Sequence, residues 1–297
     1  MLRISDRLNI FLKKNEIILT LIDVGARGEV QSIWKPLMSN LKIIGFEPDE
    51  EEFKNLVFKN PKNKYFNIAL SDKNEAQKLF ITNDPSCSSL YKPNFDYIKI
   101  FEPINWVSKK IVSTVDLKCE RLDLLYSDEV DYIKIDTQGS ELKILMGAEE
   151  ILVNQHPIVS CETWCSEIYE NAPNFNQIIN YMDSLGYEIF DMETAAAWKF
   201  NCKVKVVSRK RKIGFEVLFV KSHMNLSINN RESLKKHVLI LEYLGYRDYA
   251  IFLDSLFQLN LNSYLLKNNK MFSEFFKGKL NTILYYLNKL NLFPTYR

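Results

Sequence analysis

The chain has 297 residues, 46% of them hydrophobic, with 39 Lys plus Arg against 37 Asp plus Glu and a formal net charge of +2. Such apolar content excludes global disorder, and the near-balanced charge gives no electrostatic case for nucleic acid as a main partner. The five cysteines form no C-x-x-C pair, the amino terminus lacks a signal-peptide core, and no run reaches the roughly 18 apolar residues of a spanning helix, so a soluble, cytoplasmic protein is expected.

Ile17 to Val24 reads as a buried strand, unbroken by polar alternation. A turn with Gly25 and Gly28 follows, then a helix from about Gly28 that Pro36 ends or kinks. Lys42 to Glu47 is the next strand. Asp49 to Glu52 then place acids in a first helical turn, with Phe53, Leu56 and Val57 as its apolar face. Tyr65 to Leu70 is a third short strand, closed by Ser71-Asp72. Gln77 to Thr82 and Ile111 to Val115 read as strands around an irregular loop carrying Asn83-Asp84-Pro85-Ser86.

Val130 to Ile135 is a strong buried strand that ends in Asp136, and Thr137-Gln138-Gly139-Ser140 leads into a helix facing inward with Leu142, Leu145, Met146, Ile151 and Leu152. Pro157 to Cys161 is the fifth core strand and stops at Glu162. Phe175 to Leu185 is a helix that Gly186 stops, and Tyr187 to Phe190 and Gly214 to Val220 are closing strands. Past Ser222 no strand signal remains. Helical spacing recurs at Leu234, Val238 and Leu241, at Phe252, Leu256 and Phe257, and at Leu280, Ile283, Leu284 and Leu287, with breaks at Asn229-Asn230 and Asn268-Asn269. This alternation predicts an α/β fold with a doubly wound, mostly parallel sheet over residues 1–223 and a helical appendage over 224–297.

The residues that invite chemistry sit where these strands end. Asp23, Gly25 and Gly28 form a turn in which glycine lets the backbone approach a ligand, and Glu47, followed by the stiff Pro48, stands about 20 residues on, where a carboxylate accepts ribose hydroxyls. Asp136 follows five residues expected to be buried, so its carboxylate either works on a ligand or caps the next helix through the amides of Gly139 and Ser140. Glu162 is a further acid on that rim. Glu141 suits the helix N-terminal amides as well as it suits catalysis.

Four blocks carry a family resemblance: Leu21-Ile22-Asp23-Val24-Gly25-Ala26, Gly45-Phe46-Glu47-Pro48, Asn67-Ile68-Ala69-Leu70-Ser71, and Tyr132-Ile133-Lys134-Ile135-Asp136-Thr137-Gln138-Gly139-Ser140-Glu141-Leu142. Together they resemble the FkbM family of S-adenosylmethionine-dependent methyltransferases, mostly O-methyltransferases of sugars, polyketides and other small hydroxylated molecules, over roughly Ile17 to Val220. The resemblance implies the Rossmann-like class I fold with a seven-stranded sheet. It implies that Asp23 and the Gly25-Ala26-Arg27-Gly28 turn hold the methionine end of the cofactor, that Glu47 and Pro48 take the ribose, that Asn67, Ala69, Leu70 and Ser71 cover the adenine, and that Asp136 faces the sulfonium and the acceptor. In one departure, the second glycine stands a position early, with Glu29 in its usual place. Either the turn closes differently or cofactor binding is weakened.

Methyl transfer to a neutral hydroxyl needs a base within hydrogen-bond reach. His223 and His237 are expected at the surface and His156 at the edge away from the pocket, which leaves Asp136 first and Glu162 second, with Glu141 behind them. A divalent cation such as Mg²⁺ shared by Asp136 and Glu162 is an alternative way to acidify the hydroxyl. Pro85 to Tyr91 is a candidate acceptor-side lid, with Trp106 and Thr163-Trp164 near it. Cys161 and Cys165 read as inert thiols, and Lys203 to Lys212 as a solvated basic face or a site for a phosphate-bearing acceptor. The C-terminal aromatic helices suit core packing, a homodimer contact or peripheral membrane attachment. The rival functions are an NAD-dependent oxidoreductase, for which the G-x-G-x-x-G pattern is missing, and a non-catalytic binding module.

Overall fold

Residues 4–28, 30–204, 206–226 and 230–266 are described by the computed structural model, so the expected helical run at Leu280 to Leu287, the break at Asn268-Asn269 and Asn229 lie outside the described residues. In chain order the elements are α1 (Ile4–Lys14), β1 (Leu19–Val24), β2 (Leu41–Phe46), α2 (Glu50–Lys59), β3 (Lys64–Phe66), β4 (Ala69–Leu70), β5 (Glu75–Thr82), α3 (Phe95–Ile98), β6 (Ile111–Glu120) and α4 (Leu122–Leu125). They continue with β7 (Tyr132–Ile135), α5 (Glu141–Gly147), α6 (Glu149–Asn154), β8 (Ile158–Trp164), α7 (Phe175–Ser184), β9 (Tyr187–Trp198), β10 (Arg211–Lys221), α8 (Arg231–Tyr243), α9 (Arg247–Phe257) and α10 (Asn262–Leu265).

Seven strands make one sheet in the order β3-β2-β1-β7-β8-β10-β9, parallel except for β10, which runs antiparallel to both neighbours. The chain winds outward from β1 through β2 to β3, then returns to place β7 on the other side of β1. The carboxyl ends of β1 and β7 are therefore the switch point at which open α/β sheets bind ligands. This is the Rossmann-like, mostly parallel arrangement expected from the alternating pattern. Its core joins Ile22, Ile133 and Val159 from the central strands to Leu145 and Leu152 from the helices and Phe219 from β10. Each such side chain contributes about 1.5–3 kcal/mol on leaving water.

The structure corrects several local readings. No α-helix follows Gly28. Ser32–Asn40 is a 3-10 helix instead, with Pro36 inside it, where a missing N–H and a fixed φ favour the tighter winding. Its Trp34 is buried edge-on against Tyr132, ring centroids 4.8 Å apart. The expected third strand is split between two sheets: β3 pairs with β2, whereas β4 pairs with β6 in a second sheet ordered β4-β6-β5. The helix expected after Asp136 is broken at Gly147-Ala148 into α5 and α6. β8 runs on past Glu162 to Trp164, because β10 pairs with it as far as Gly214 opposite Trp164. α7 starts in a capping box between Asn174 and Gln177, a signal readable in the sequence.

By compactness the chain divides into two units, Met1–His237 and Val238–Arg297. In the second, α9 ends with Gln258 in the left-handed region, and Asp254 accepts the Leu261 amide at 2.8 Å ahead of α10. Among the described residues no helix is long and apolar enough to cross a membrane.

Gly147 shows how closely α5 is seated. A Cβ built there would lie 2.1 Å from the Ser71 carbonyl oxygen just beyond β4, a backbone atom that cannot swing aside. Gly147→Ala is expected to destabilise the protein by about 2 kcal/mol in denaturant unfolding, the cost of overpacking a filled interface. Unchanged stability would show that α5 can lift off the β4 segment freely.

Candidate active site

β1 and β7 lie in register with Asp23 opposite Lys134, so an acid and a base enter the sheet side by side. The Lys134 ammonium is 3.3 Å from Asp23 Oδ1, 3.7 Å from Asp136 Oδ2, and donates to the Gly25 carbonyl at 3.1 Å. Burial works against this charge, but Asp23 and Asp136 outweigh it, and the lysine is held above its ordinary pKa. Asp23 itself is buried and its Oδ1 has no hydrogen bond, only that ion pair. Gly25 has φ +73°, and a Cβ there would fall 2.0 Å from the Asp136 carbonyl oxygen, so only glycine lets the two strand ends close together.

At the tip of β2, Glu47 is buried at the cleft wall, and its Oε1 accepts the Asp49 amide at 2.9 Å. Burial pushes this carboxyl up to about 7 against the pull of that hydrogen bond and of Arg27. The departure at Arg27-Gly28 has a structural reason in the acids of α2. The Arg27 guanidinium lies 2.9 Å from Asp49, 3.7 Å from Glu47 and 3.8 Å from Glu52, while the Gly28 amide donates to Glu52 at 2.9 Å. The turn is thus fastened to the first turn of α2 rather than left open. Asn67 bridges the carbonyls of Glu47 and Pro48 at 3.0 Å each and fixes the backbone beneath the carboxylate.

The turn between β7 and α5 holds a polar network. Glu141 Oε1 accepts the amides of Thr137 and Gly139 at 3.1 and 2.9 Å and the Thr137 hydroxyl at 3.1 Å. Gln138, at φ +60°, aims its amide nitrogen at Glu162 (2.6 Å) and Asp136 (3.2 Å). Its amide oxygen accepts from the Tyr169 hydroxyl at 2.7 Å and from Lys109 at 3.3 Å. Lys109 is buried against the rings of Trp164 and Tyr169, 5.2 and 4.9 Å from their centroids, and donates to the Tyr169 oxygen at 2.8 Å. Burial lowers its pKa. Burial, reinforced by the carboxylates of Asp136 and Glu141, pushes Glu162 up to about 10.

These features border one cleft with an empty volume of about 850 Å³, open solvent included. Of the expected cofactor contacts, Gly25, Arg27, Glu47, Pro48, Ala69, Leu70 and Asp136 line it, beside apolar walls from Phe46, Ile68 and Ile144. Asp23, Ala26, Gly28, Asn67 and Ser71 stand behind these and do not line it, nor do Glu141 and Glu162. Of the expected lid, Pro85 to Tyr91, all but Cys87 and Tyr91 line the cleft as its roof, and Ser89 donates to the Gln138 carbonyl at 2.7 Å. Trp106 and Thr163-Trp164, expected beside it, are not in the cleft. The Trp106 indole donates to the Phe101 carbonyl, Thr163 is buried against β10, and Trp164 packs in a second apolar cluster with Phe101 and Trp198. His237, expected at the surface, is buried, and burial lowers it to about 4.

Lys134, Lys109, Gln138 and Tyr169 escaped the sequence reading. A lysine inside an apolar strand that also ends in an acid was the available signal for the first; nothing local marked the others. Asp136 and Glu162 do not suit a shared cation: the amide nitrogen of Gln138 lies between them as a donor, and reversing that amide would set its nitrogen against the Lys109 ammonium, which can only donate. Among the described residues no group of three or more His, Cys, Asp or Glu is placed to hold a metal ion. The cleft does suit an adenosyl compound, with a carboxylate for the hydroxyls, apolar walls for a base and a glycine edge where backbone meets ligand.

Residues 23–189 match the family model described as the methyltransferase FkbM domain. No curated protein matches the chain. Among solved structures it is similar to methyltransferase FkbM from Methylobacillus flagellatus KT, at 13% identity and a TM-score of 0.39, covering 71% of this chain and 47% of that one. The match therefore spans less than half of that protein. It is also similar to magnesium protoporphyrin IX methyltransferase from Synechocystis PCC 6803 with bound SAM, at 8% identity and a TM-score of 0.38, covering 73% of this chain and 78% of that one.

Glu162 gives a test of the acid network. From its ordinary value of 4.5 up to about 10 the folded protein holds a proton that the unfolded chain has released, so this group erodes stability as pH rises. Glu162→Gln keeps an acceptor oxygen for Gln138 and removes that erosion. In denaturant unfolding the variant should gain on the parent steadily between about pH 5 and about pH 9. A difference that stays constant with pH would mean that Glu162 is ionised in the folded protein.

Proposed function

Because the chain belongs to the FkbM family of S-adenosylmethionine-dependent methyltransferases, we propose that it methylates a hydroxyl of a sugar, glycan or similar small hydroxylated acceptor. The observation that carries this reading is the placement of Glu47 and Asp136 at separate strand tips facing one cleft. When bound, S-adenosylmethionine supplies a methyl group already activated on a sulfonium, which leaves the protein to position, to exclude water and to move one proton.

Each group has a part in that division of labour. Glu47 would accept the ribose hydroxyl hydrogens, while Phe46, Ile68, Ala69 and Leu70 flank the adenine. The Gly25 turn, braced from behind by Lys134 and Asp23, would hold the methionine end. Asp136, whose side chain is 44% exposed on the cleft, is the base for the acceptor hydroxyl. Glu162, its pKa raised to about 10 by burial and the neighbouring carboxylates, keeps its proton at neutral pH and does not serve as the base. Gln138 orients the acid pair and Glu141 shapes the turn that carries them, so both are positioning residues. The roof from Pro85 to Leu90 supplies Ser86, Ser88 and Ser89 on the side where an acceptor enters.

Calorimetric titration tests this directly. S-adenosylhomocysteine should bind and NADH should not, whereas binding of NADH alone, or of neither, overturns the proposal. Affinity should rise as pH passes upward through about 7, where Glu47 loses its proton and becomes the better acceptor. Glu47→Gln should weaken binding by about 1–2 kcal/mol and flatten that pH dependence. The acceptor class is tested by mass spectrometry of glycans from cells with and without the protein, where one sugar should differ by a single methyl group.

A further inference from the structure

We propose that the loop joining β9 to β10 is a docking element for an anionic lipid bilayer. Between Glu193 and Glu216 the chain contains no acid but seven cations: Lys199, Lys203, Lys205, Arg209, Lys210, Arg211 and Lys212. The same loop holds aliphatic side chains out in water. Val204 is 67% exposed, Val206 is 57% exposed and Val207 is fully exposed. Residues so apolar are stabilised by leaving water, and a run of cations interspersed among them, with no acid between, is complemented by an anionic surface.

The loop is built to present that surface. Arg211 anchors its far end to the body through the Tyr97 hydroxyl at 3.0 Å and the Ser166 hydroxyl at 3.2 Å. Its near end is stitched to the segment after α3. There Glu102 donates its amide to the Lys199 carbonyl at 3.0 Å, Asn201 donates to the Ile100 carbonyl at 2.8 Å, and the rings of Phe101 and Phe200 stand 5.0 Å apart. That segment adds Ile104, 83% exposed, together with the exposed Ile100 and Lys99. Registers place the two ends of the loop at the carboxyl edge of the sheet: Gly214 faces Trp164 at the end of β8, and Arg211 faces Trp198 at the end of β9. The cleft opens on that same edge. The lipid surface is favoured over nucleic acid because aliphatic tips offer neither stacking faces nor hydrogen bonds to bases. It is independent of the acceptor assigned above.

The test uses the full chain and sedimentation with vesicles of phosphatidylcholine, with or without phosphatidylglycerol. The protein should sediment with the anionic vesicles, release from them as salt is raised, and ignore the neutral ones. The double variant Val206→Asp/Val207→Asp and, separately, Lys203→Glu/Lys210→Glu should each bind at least about tenfold more weakly. Both should retain the S-adenosylhomocysteine affinity of the parent, which shows that they fold. No binding by the parent, equal binding to neutral vesicles, or variants that bind like the parent would each overturn the proposal, the last by moving the contact to another part of the chain. Retention on single-stranded RNA that displaces the vesicles would overturn it as well.

Discussion

One buried ammonium ties the ends of two neighbouring strands together. Lys134 reaches from β7 to the Asp23 carboxylate and the Gly25 carbonyl on β1, and on its own strand to Asp136. Burial holds the Asp23 carboxyl above its ordinary pKa, and Lys134, set between Asp23 and Asp136, opposes that rise and offsets the repulsion between the two acids. The lysine also anchors the start of the glycine turn, whose far side Arg27 and Gly28 fasten to the acids of α2. With the Gly25 carbonyl held by Lys134 and its amide bonded to Phe46, the backbone is fixed from both sides.

The acids around the cleft are separated by environment rather than by identity. Burial raises Glu47 to about 7 and pushes Glu162 far higher. Asp136 faces the open cleft with a cation behind it. For the proposed methyl transfer, such unlike carboxyls would let one site take ribose hydroxyls, lie near a sulfonium and accept one proton. The second lysine, Lys109, works at a distance. Together with Tyr169 it saturates the Gln138 oxygen, which settles which end of that amide meets the acids.

Much of this was legible in the sequence, for a physical reason. Strands buried on both faces spell themselves as apolar runs, and an acid that ends such a run stands out against them. Ile17 to Val24, Lys42 to Glu47 and Val130 to Asp136 were readable on that ground, and with them the positions of Asp23, Glu47 and Asp136. What escaped depends on register or on distant packing. Lys134 gains its meaning only when β1 lies beside it with Asp23 opposite. Lys109 looks like any solvated loop lysine until Trp164 and Tyr169 close over it. His237 was misplaced because an amphipathic helix alone does not say which face is covered. The split of β3 from β4 turns on Asn67, whose side chain is spent on two carbonyls before the chain crosses into a second sheet.

The segment over the cleft is joined to the turn beneath it by the Ser89 hydroxyl, which donates to the Gln138 carbonyl at 2.7 Å. The residue whose side chain meets Asp136 and Glu162 thus also holds that segment through its backbone. The seating of Pro85 to Leu90 and the placement of the amide between the two acids therefore rest on one residue.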